Sequence, residues 1–332
     1  MSGDKRATIY DVAKVAGVSP STVSRAFSNP ARVSSDTTAK IFEAARALGF
    51  RQSGSSYPAH SHHSSILCFV MADVTNPVFA TLLEGFQRAA HQANYGVVVI
   101  NSDENVAIEE KTIRKMLPQV DGIALAGSRL TPAAILAIEK TKPLVLLNRF
   151  LDGHTCVLPD TSGGIGDVCR YLAELGHKEL LYLSGPKLSW ANGMRWRSAQ
   201  EKCHEYGITL RHTPNLSPRL LGGIDGAHLW MQHPTTAVLA YNDMMAMGFI
   251  KEVMSEGYSV PGDVSVVGID DSVMSSFSDP TISSLSSGSY DVGRKAAKSL
   301  IWQIANHANR ERKTLIMPME FAERESTGEA KK

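Results

Sequence analysis

The sequence predicts a small helical head, a linker, and an α/β body of two doubly wound parallel-sheet lobes. Three observations carry this reading. Residues 7–50 hold three short stretches with helical apolar spacing. Residues 52–65 are rich in Ser, Gly and Pro and have neither formal charge nor an apolar period, so they read as a linker. Residues 66–320 alternate short apolar runs with amphipathic helical patterns, the sign of parallel strands covered by helices on both faces. Seven or more strands over that span fit two lobes better than one.

The elements follow in order. Ile9, Val12, Ala13 and Ala16 share one face of a first helix, which Gly17 ends with a tight turn. Ser19 reads as an N-cap with Pro20 at the first helical position of a second helix, Pro20–Phe27. Asn29-Pro30 breaks the chain. Ser34 or Ser35 caps a third helix carrying Ile41, Ala44, Ala45 and Leu48, and Gly49 stops it. In the body the strand candidates are Ile66–Ala72, Gly96–Asn101, Gly122–Ala126, Leu144–Asn148, Leu180–Ser184, Ala237–Ala240 and Val264–Ile269. Helices Phe79–Gln92, Gly164–Leu175 and Asn242–Glu256 lie between them.

Composition narrows the function classes. The chain has 332 residues, 43% of them hydrophobic, which is ample for a packed core. Its longest apolar runs fall far short of the roughly 20 residues that span a bilayer. No secretory signal is read at the N-terminus, so the expected compartment is the cytoplasm. The four cysteines stand singly, without the spacing of a zinc knuckle or a disulfide framework. The net charge of +1 hides an asymmetry, because residues 1–51 carry eight cations and only four anions. A basic head on a slightly acidic body predicts that the head meets a polyanion.

The first two helices, joined through Ala16-Gly17-Val18-Ser19, form a helix–turn–helix whose second helix is expected in the major groove of DNA. Pro20, Ser21, Ser24 and Arg25 point outward from it. Arg25 has the fork that reads guanine, and the two serines donate or accept. Thr8, Tyr10, Ser19, Thr22 and Asn29 suit phosphate contacts, and Ser34 is counted with this DNA-contacting set. The competing reading is a helical hairpin with no nucleic-acid role. The caps, the turn and the basic residues agree against it.

The stretch TIYDVAKVAGVSPSTVSRAFSNPARVSSDT resembles the DNA-binding head of the Lac repressor (LacI/GalR) family. The resemblance continues through NPVFATLLEGF, VDGIAL, PLVLLNR, ELGHKELLYLSG, TTAVLAYNDMMAMG, VPGDVSVVGIDDS and RESTG, and covers residues 7–328. It implies a homodimeric transcription regulator, expected to be a repressor, on near-palindromic operator DNA. The body would be like a type I periplasmic binding protein, its lobes closing on a small-molecule effector, a sugar or related metabolite. It further implies a head over 1–51, the linker over 52–65 and an effector-binding and dimerisation domain over 66–332. The N-lobe would be about 66–160 plus 290–320, and the C-lobe about 161–289.

Ligands in open α/β sheets sit beyond the carboxyl ends of the strands. Asp73, Asn76 and Phe79 follow the first strand candidate, and Asn148 and Arg149 follow PLVLL. Ser189, Trp190 and Arg195 follow LLYLS, and Asn242 and Asp243 follow AVLAY. Carboxylate, arginine and aromatic groups across a cleft suit hydroxyl-rich ligands. The effector set is therefore Asp73, Asn76, Phe79, Asn148, Arg149, Trp190, Arg195 and Asp243. The family pattern favours Asp243 and Arg195 in particular. The alternatives are a helix-capping role for Asp243, a solvated Arg195 with Arg197 in its place, and plain packing for Phe79 and Trp190.

The resemblance has gaps. Val78 stands where relatives carry a second aromatic, Ser198-Ala199 where they carry a Gly-aromatic pair, and Ser287 where they carry glutamine. The ligand's identity is therefore not inherited. Relatives wedge a hinge-helix leucine into the minor groove, but QSGSSYPAHSHHS has no leucine, and Gly54 and Pro58 disfavour a helix. His60, His62 and His63 lack a fourth ligand, so a polar linker is expected rather than a metal site. No cofactor or catalytic residue is expected. There is no GxSxG, GxxxxGK[ST] or HExxH. A cytoplasmic solute-binding protein and a metabolite enzyme on the same body are the competing classes.

Overall fold

The computed structural model describes residues 7–28, 32–48, 50, 64–306 and 312–331. The chain divides into two compact units, residues 1–62 and 63–332.

In the first unit, helix α1 spans Ile9–Ala16, α2 Pro20–Ser28 and α3 Ser35–Ala47. Thr8 and Asp11 close a reciprocal capping box at the start of α1, which satisfies donors that a helix leaves open. Gly17 ends α1 at φ 67°, a conformation that favours glycine. Ser19 accepts from the Thr22 N–H at 3.2 Å, and Ser34, rather than Ser35, caps α3. Val12, Val23, Ala26 and Ile41 form the core, and Phe27 meets Phe42 edge-on at 4.8 Å. Asn29, Gly49, Tyr57, Pro58 and the linker histidines lie outside the described residues.

The second unit is built on two six-stranded sheets. The first contains β1 (Ile66–Met71), β2 (Gly96–Asn101), β3 (Gly122–Ala126), β4 (Leu144–Leu147), β5 (Cys156–Pro159) and β11 (Thr314–Met317). Its order is β11-β5-β4-β3-β1-β2, parallel throughout. The second contains β6 (Glu179–Leu183), β7 (Thr209–His212), β8 (Ala237–Ala240), β9 (Ser265–Ile269), β10 (Ser283–Ser286) and β12 (Glu320–Ala322). Its order, β12-β10-β9-β8-β6-β7, repeats the first, except that β12 runs antiparallel to β10. The second sheet is therefore not purely parallel, as the sequence had implied.

Strand pleating divides each sheet between two cores. Leu67, Phe69 and Met71 of β1 face one cluster, while Cys68 and Val70 face the other. Val238 and Ala240 of β8 are separated from Ala237 and Leu239 in the same way. Five strands, β5, β7, β10, β11 and β12, were not among the sequence candidates. Each has four residues or fewer, and β10 reads SSLS. Its buried serines are satisfied by side-chain partners, Ser283 by Thr327 and Ser284 by Asp243, so no apolar pattern marks it.

Helices α4 (Pro77–Gln92), α5 (Val106–Met116) and α6 (Pro132–Glu139) connect the first sheet. Helices α7 (Thr161–Glu174), α8 (Trp190–Glu205), α9 (Leu220–Gln232), α10 (Asp243–Ser255) and α11 (Val273–Phe277) belong with the second. Helix α12 (Ser289–Ala305) returns to the first sheet and lies against α4. That contact needs two glycines. A Cβ on Gly85 would lie 1.9 Å from the Tyr290 carbonyl oxygen, and one on Gly293 would lie 1.9 Å from that of Leu82. Among the described residues no helix is long and apolar enough to cross a membrane.

Candidate functional site

The head exposes most of the side chains expected to contact DNA. Thr8, Tyr10, Ser19, Ser21, Arg25 and Ser34 are exposed, and Pro20, Thr22 and Ser24 are half-buried. Val23 and Ala26, the other side of α2, are fully buried. Helix α2 therefore turns its polar face outward while its apolar face anchors it, as a recognition helix requires. The Ser19 hydroxyl lies 2.8 Å from both Ser21 Oγ and Thr22 Oγ1 and caps α2.

In the body, chain order reverses beside β1 and beside β6, and the loops at those carboxyl ends face one another across a cleft. The first lobe lines it with Asp73, Asn76, Phe79, Glu104, Arg129 and Asn148. The second contributes Ala191, Arg195, Pro218, Tyr241, Asn242 and Asp270. The cavity between them measures about 30 Å³.

Arg195 is the centre of the second lobe's half. Its Nη1 donates to the Tyr241 carbonyl, its Nη2 to Asp270 Oδ1 at 3.3 Å, and its guanidinium sits 4.7 Å from the Tyr241 ring centroid. Burial works to lower its pKa, but Asp270 and the two tyrosines, Tyr241 and Tyr182, outweigh it and leave it raised. Asp270 is held at φ 120°, strained for a side-chain-bearing residue, and accepts from Asn76 Nδ2 of the other lobe at 3.4 Å. Burial raises its pKa. In the first lobe, Arg129 donates to both carboxylate oxygens of Glu104, at 2.7 and 2.9 Å.

The expected effector residues divide. Asp73, Asn76, Phe79, Asn148 and Arg195 line the cleft. Asn148 has φ 54°, and its buried Oδ1 has no protein partner, which leaves an acceptor for a ligand donor. Arg149, Trp190 and Asp243 do not line it. Arg149 donates to the Ser128 carbonyl. Trp190 packs as a half-buried ring against the first lobe's core. Asp243 accepts from the Ser272 N–H at 2.7 Å and the Ser284 hydroxyl at 2.5 Å. Its expected place in the cleft is thus corrected: both oxygens are consumed inside the lobe. The cap of α10 is Asn242, which accepts from the Met245 N–H at 2.9 Å. Arg197, the alternative to Arg195, is exposed and pairs with Glu201.

Asp270, Arg129, Tyr241 and Glu104 line the cleft without having been singled out. Asp270 was within reach of the strand-end rule, since it immediately follows β9 in the IDDS stretch.

Residues 8–53 match the family described as bacterial regulatory proteins, lacI family. Residues 169–327 match a periplasmic binding protein-like domain. The chain is 30% identical over 311 residues to the HTH-type transcriptional repressor CytR of Escherichia coli (strain K12), covering 90% of each chain. Among solved structures it is similar to the Lac repressor dimer bound to operator and the anti-inducer ONPF, with a TM-score of 0.74 at 22% identity over 98% of this chain and 100% of that one. It is also similar to the regulator CelR in complex with cellobiose, with a TM-score of 0.72 at 23% identity over 97% and 100%. Head, lobes and sequence kinship agree, and the chain belongs to the lacI family of bacterial transcription regulators.

Proposed function

We propose that this regulator is a cytoplasmic repressor that binds a near-palindromic operator as a homodimer and responds to a sugar or related polyhydroxylated metabolite held between its lobes. The observation that carries the effector reading is the buried Arg195–Asp270 pair facing the unpartnered Asn148 Oδ1 across one cleft. A charged pair and amide acceptors in a dry site recognise neutral hydroxyl groups through strong directional bonds. Phe79 and Tyr241 supply apolar faces against which a ring can pack. No cofactor or catalysis enters this reading. An apolar surface hollow lined by Met254, Met274 and Phe277 supports the dimer, since patches of this kind mark protein contacts.

The test starts from DNA. Purified full-length protein, incubated with a genomic fragment pool and footprinted, should protect two half-sites about one helical turn apart. Arg25→Ala should weaken that specific complex by roughly 1–3 kcal/mol while leaving salt-dependent, non-specific binding in place. A footprint without sequence preference would overturn the reading. Sugars and nucleosides added singly to the protected complex should then identify the effector by release or tightening of the footprint.

A further inference from the structure

Six of the seven helices from α4 to α10 begin on a residue whose side-chain oxygen caps the first turn: Asn76, Asn105, Thr131, Asp160, Ser189 and Asn242. Helix α9 begins on Arg219, which makes no such bond, and its first turn holds no acidic residue. Arginine is a poor choice there on two counts. It has no acceptor for the open N–H groups, and its positive charge meets the positive end of the helix dipole.

What the side chain does instead is reach the other lobe. Arg219 Nε donates to Asp73 Oδ2 at 2.7 Å, and Nη2 to Asp103 Oδ1 at 2.5 Å. Asp73 follows β1 and is almost fully buried, while Asp103 follows β2. Asp103 and Glu104 have φ of 51° and 57°, a strained pair of consecutive left-handed residues. That turn directs Asp103 to Arg219 and Glu104 to Arg129. Burial alone would raise the pKa of Asp73, yet its bonds to Arg219 and Thr75 leave it lowered. A locally disfavoured residue on one lobe thus meets a locally strained turn on the other, and the bonds of Arg219 to Asp73 and Asp103 form only when the lobes are together.

We infer that Arg219 is an inter-lobe latch, whose ion pairs with Asp73 and Asp103 weight the opening and closing of the cleft toward the closed arrangement. The effector acts only through its different affinity for open and closed lobes. The latch sets where that balance stands before any ligand arrives, so Arg219 and Asp103, neither of which lines the cleft, tune effector response without touching the effector. It goes beyond the effector reading and is measured without effector or DNA, so its failure would leave the regulator reading standing.

The experiment places nitroxide labels at Lys111→Cys on α5 and Asp225→Cys on α9, both exposed, in the full chain, and reads the inter-lobe distance by pulsed electron resonance. The native cysteines are buried and do not compete for label. With no ligand added, the unlatched Arg219→Thr variant should shift to longer distances, its closed-to-open ratio falling roughly fivefold, the scale of a partly buried ion pair. Threonine also restores a capping oxygen, so thermal stability should hold or rise while closure is lost. Asp103→Asn should open the lobes in the same direction, and combining it with Arg219→Thr should add less than the sum of the two. Arg219→Lys should recover part of the closure. An unchanged distance distribution in Arg219→Thr would overturn the latch. So would opening in that variant with none in Asp103→Asn.

Discussion

The two lobes repeat one strand order, yet the halves of the cleft they build differ in charge chemistry. The second lobe encloses its charges: Arg195, Asp270 and Asp243 are all nearly inaccessible, and the two carboxylates repel each other. The first lobe buries Asp73 and Arg129 as deeply but leaves one partner nearer water. Glu104 is partly exposed beside Arg129, and Asp73 depends on an arginine from across the cleft. The ion pair of the second half is therefore closed within its own lobe, whereas Asp73 of the first half gains its cation only across the cleft. Preorganised dipoles hold a ligand without reorganising. Groups satisfied only on closure report that the lobes have met.

The sharpest way to break this comparison is to remove one arginine from each half. Arg195→Met strands Asp270 in a buried site beside Asp243, and should cost about 3–5 kcal/mol, the scale of an uncompensated buried charge. Arg129→Met leaves Glu104 able to take water and should cost less, about 1–3 kcal/mol. Denaturant titration followed by tryptophan fluorescence measures both, since Trp196 and Trp230 report on the second lobe, Trp302 on the first, and Trp190 on the seam where it packs against the first lobe's core. Equal costs would mean that the halves are not built differently.

A second measurement uses acidity. Burial and the neighbouring Asp270 push Asp243 up to about 7. A folded pKa above the unfolded value means that the folded state binds the proton more tightly. Its stabilising effect is full below the unfolded value of 3.8 and is lost as pH rises through about 7. The second lobe should therefore be more stable at pH 5 than at pH 8, by an amount of the order of a few kcal/mol. Asp243→Asn should flatten that dependence. A wild-type chain equally stable at the two pH values would remove the buried carboxylate pair from the account.

Much of this architecture was legible in the sequence because its signals are local. The head was readable from Gly17 and Ser19, whose roles are set within a few residues by cap and turn chemistry, although the Thr8–Asp11 capping box was not singled out. The cleft was less so. Asn242 is the extended N-cap and Asp243 the first helical residue of α10, so their side chains leave the backbone in different directions. One lines the cleft and the other turns beneath β9 and β10, and no periodicity says which. Arg195 pairs with a residue 75 positions away and Arg129 with one 25 away, so their partners emerge only from the fold. Short strands such as SSLS stayed hidden because side-chain partners, not apolar burial, satisfy them.

The smallest expected effect is also the most specific to the first half. Asp73 accepts from the Thr75 N–H and hydroxyl at 2.9 and 2.8 Å through Oδ1, and from Arg219 through Oδ2. Asp73→Asn retains an oxygen for the turn and loses only the charge that faces Arg219. That arginine is 41% exposed and keeps Asp103, so solvent screening limits the loss at pH 7 to about 1 kcal/mol or less. The sign against pH is the reverse of that for Asp243. Because the folded pKa of Asp73 lies below 3.8, its contribution is full above that value and fades as pH falls through the folded pKa. Denaturant midpoints should therefore separate wild type from Asp73→Asn at pH 7 and converge in acid, while those of wild type and Asp243→Asn should diverge as pH rises through 7. Parallel pH profiles for the two variants would show that the carboxylates share one environment, and the contrast between the lobes would fall.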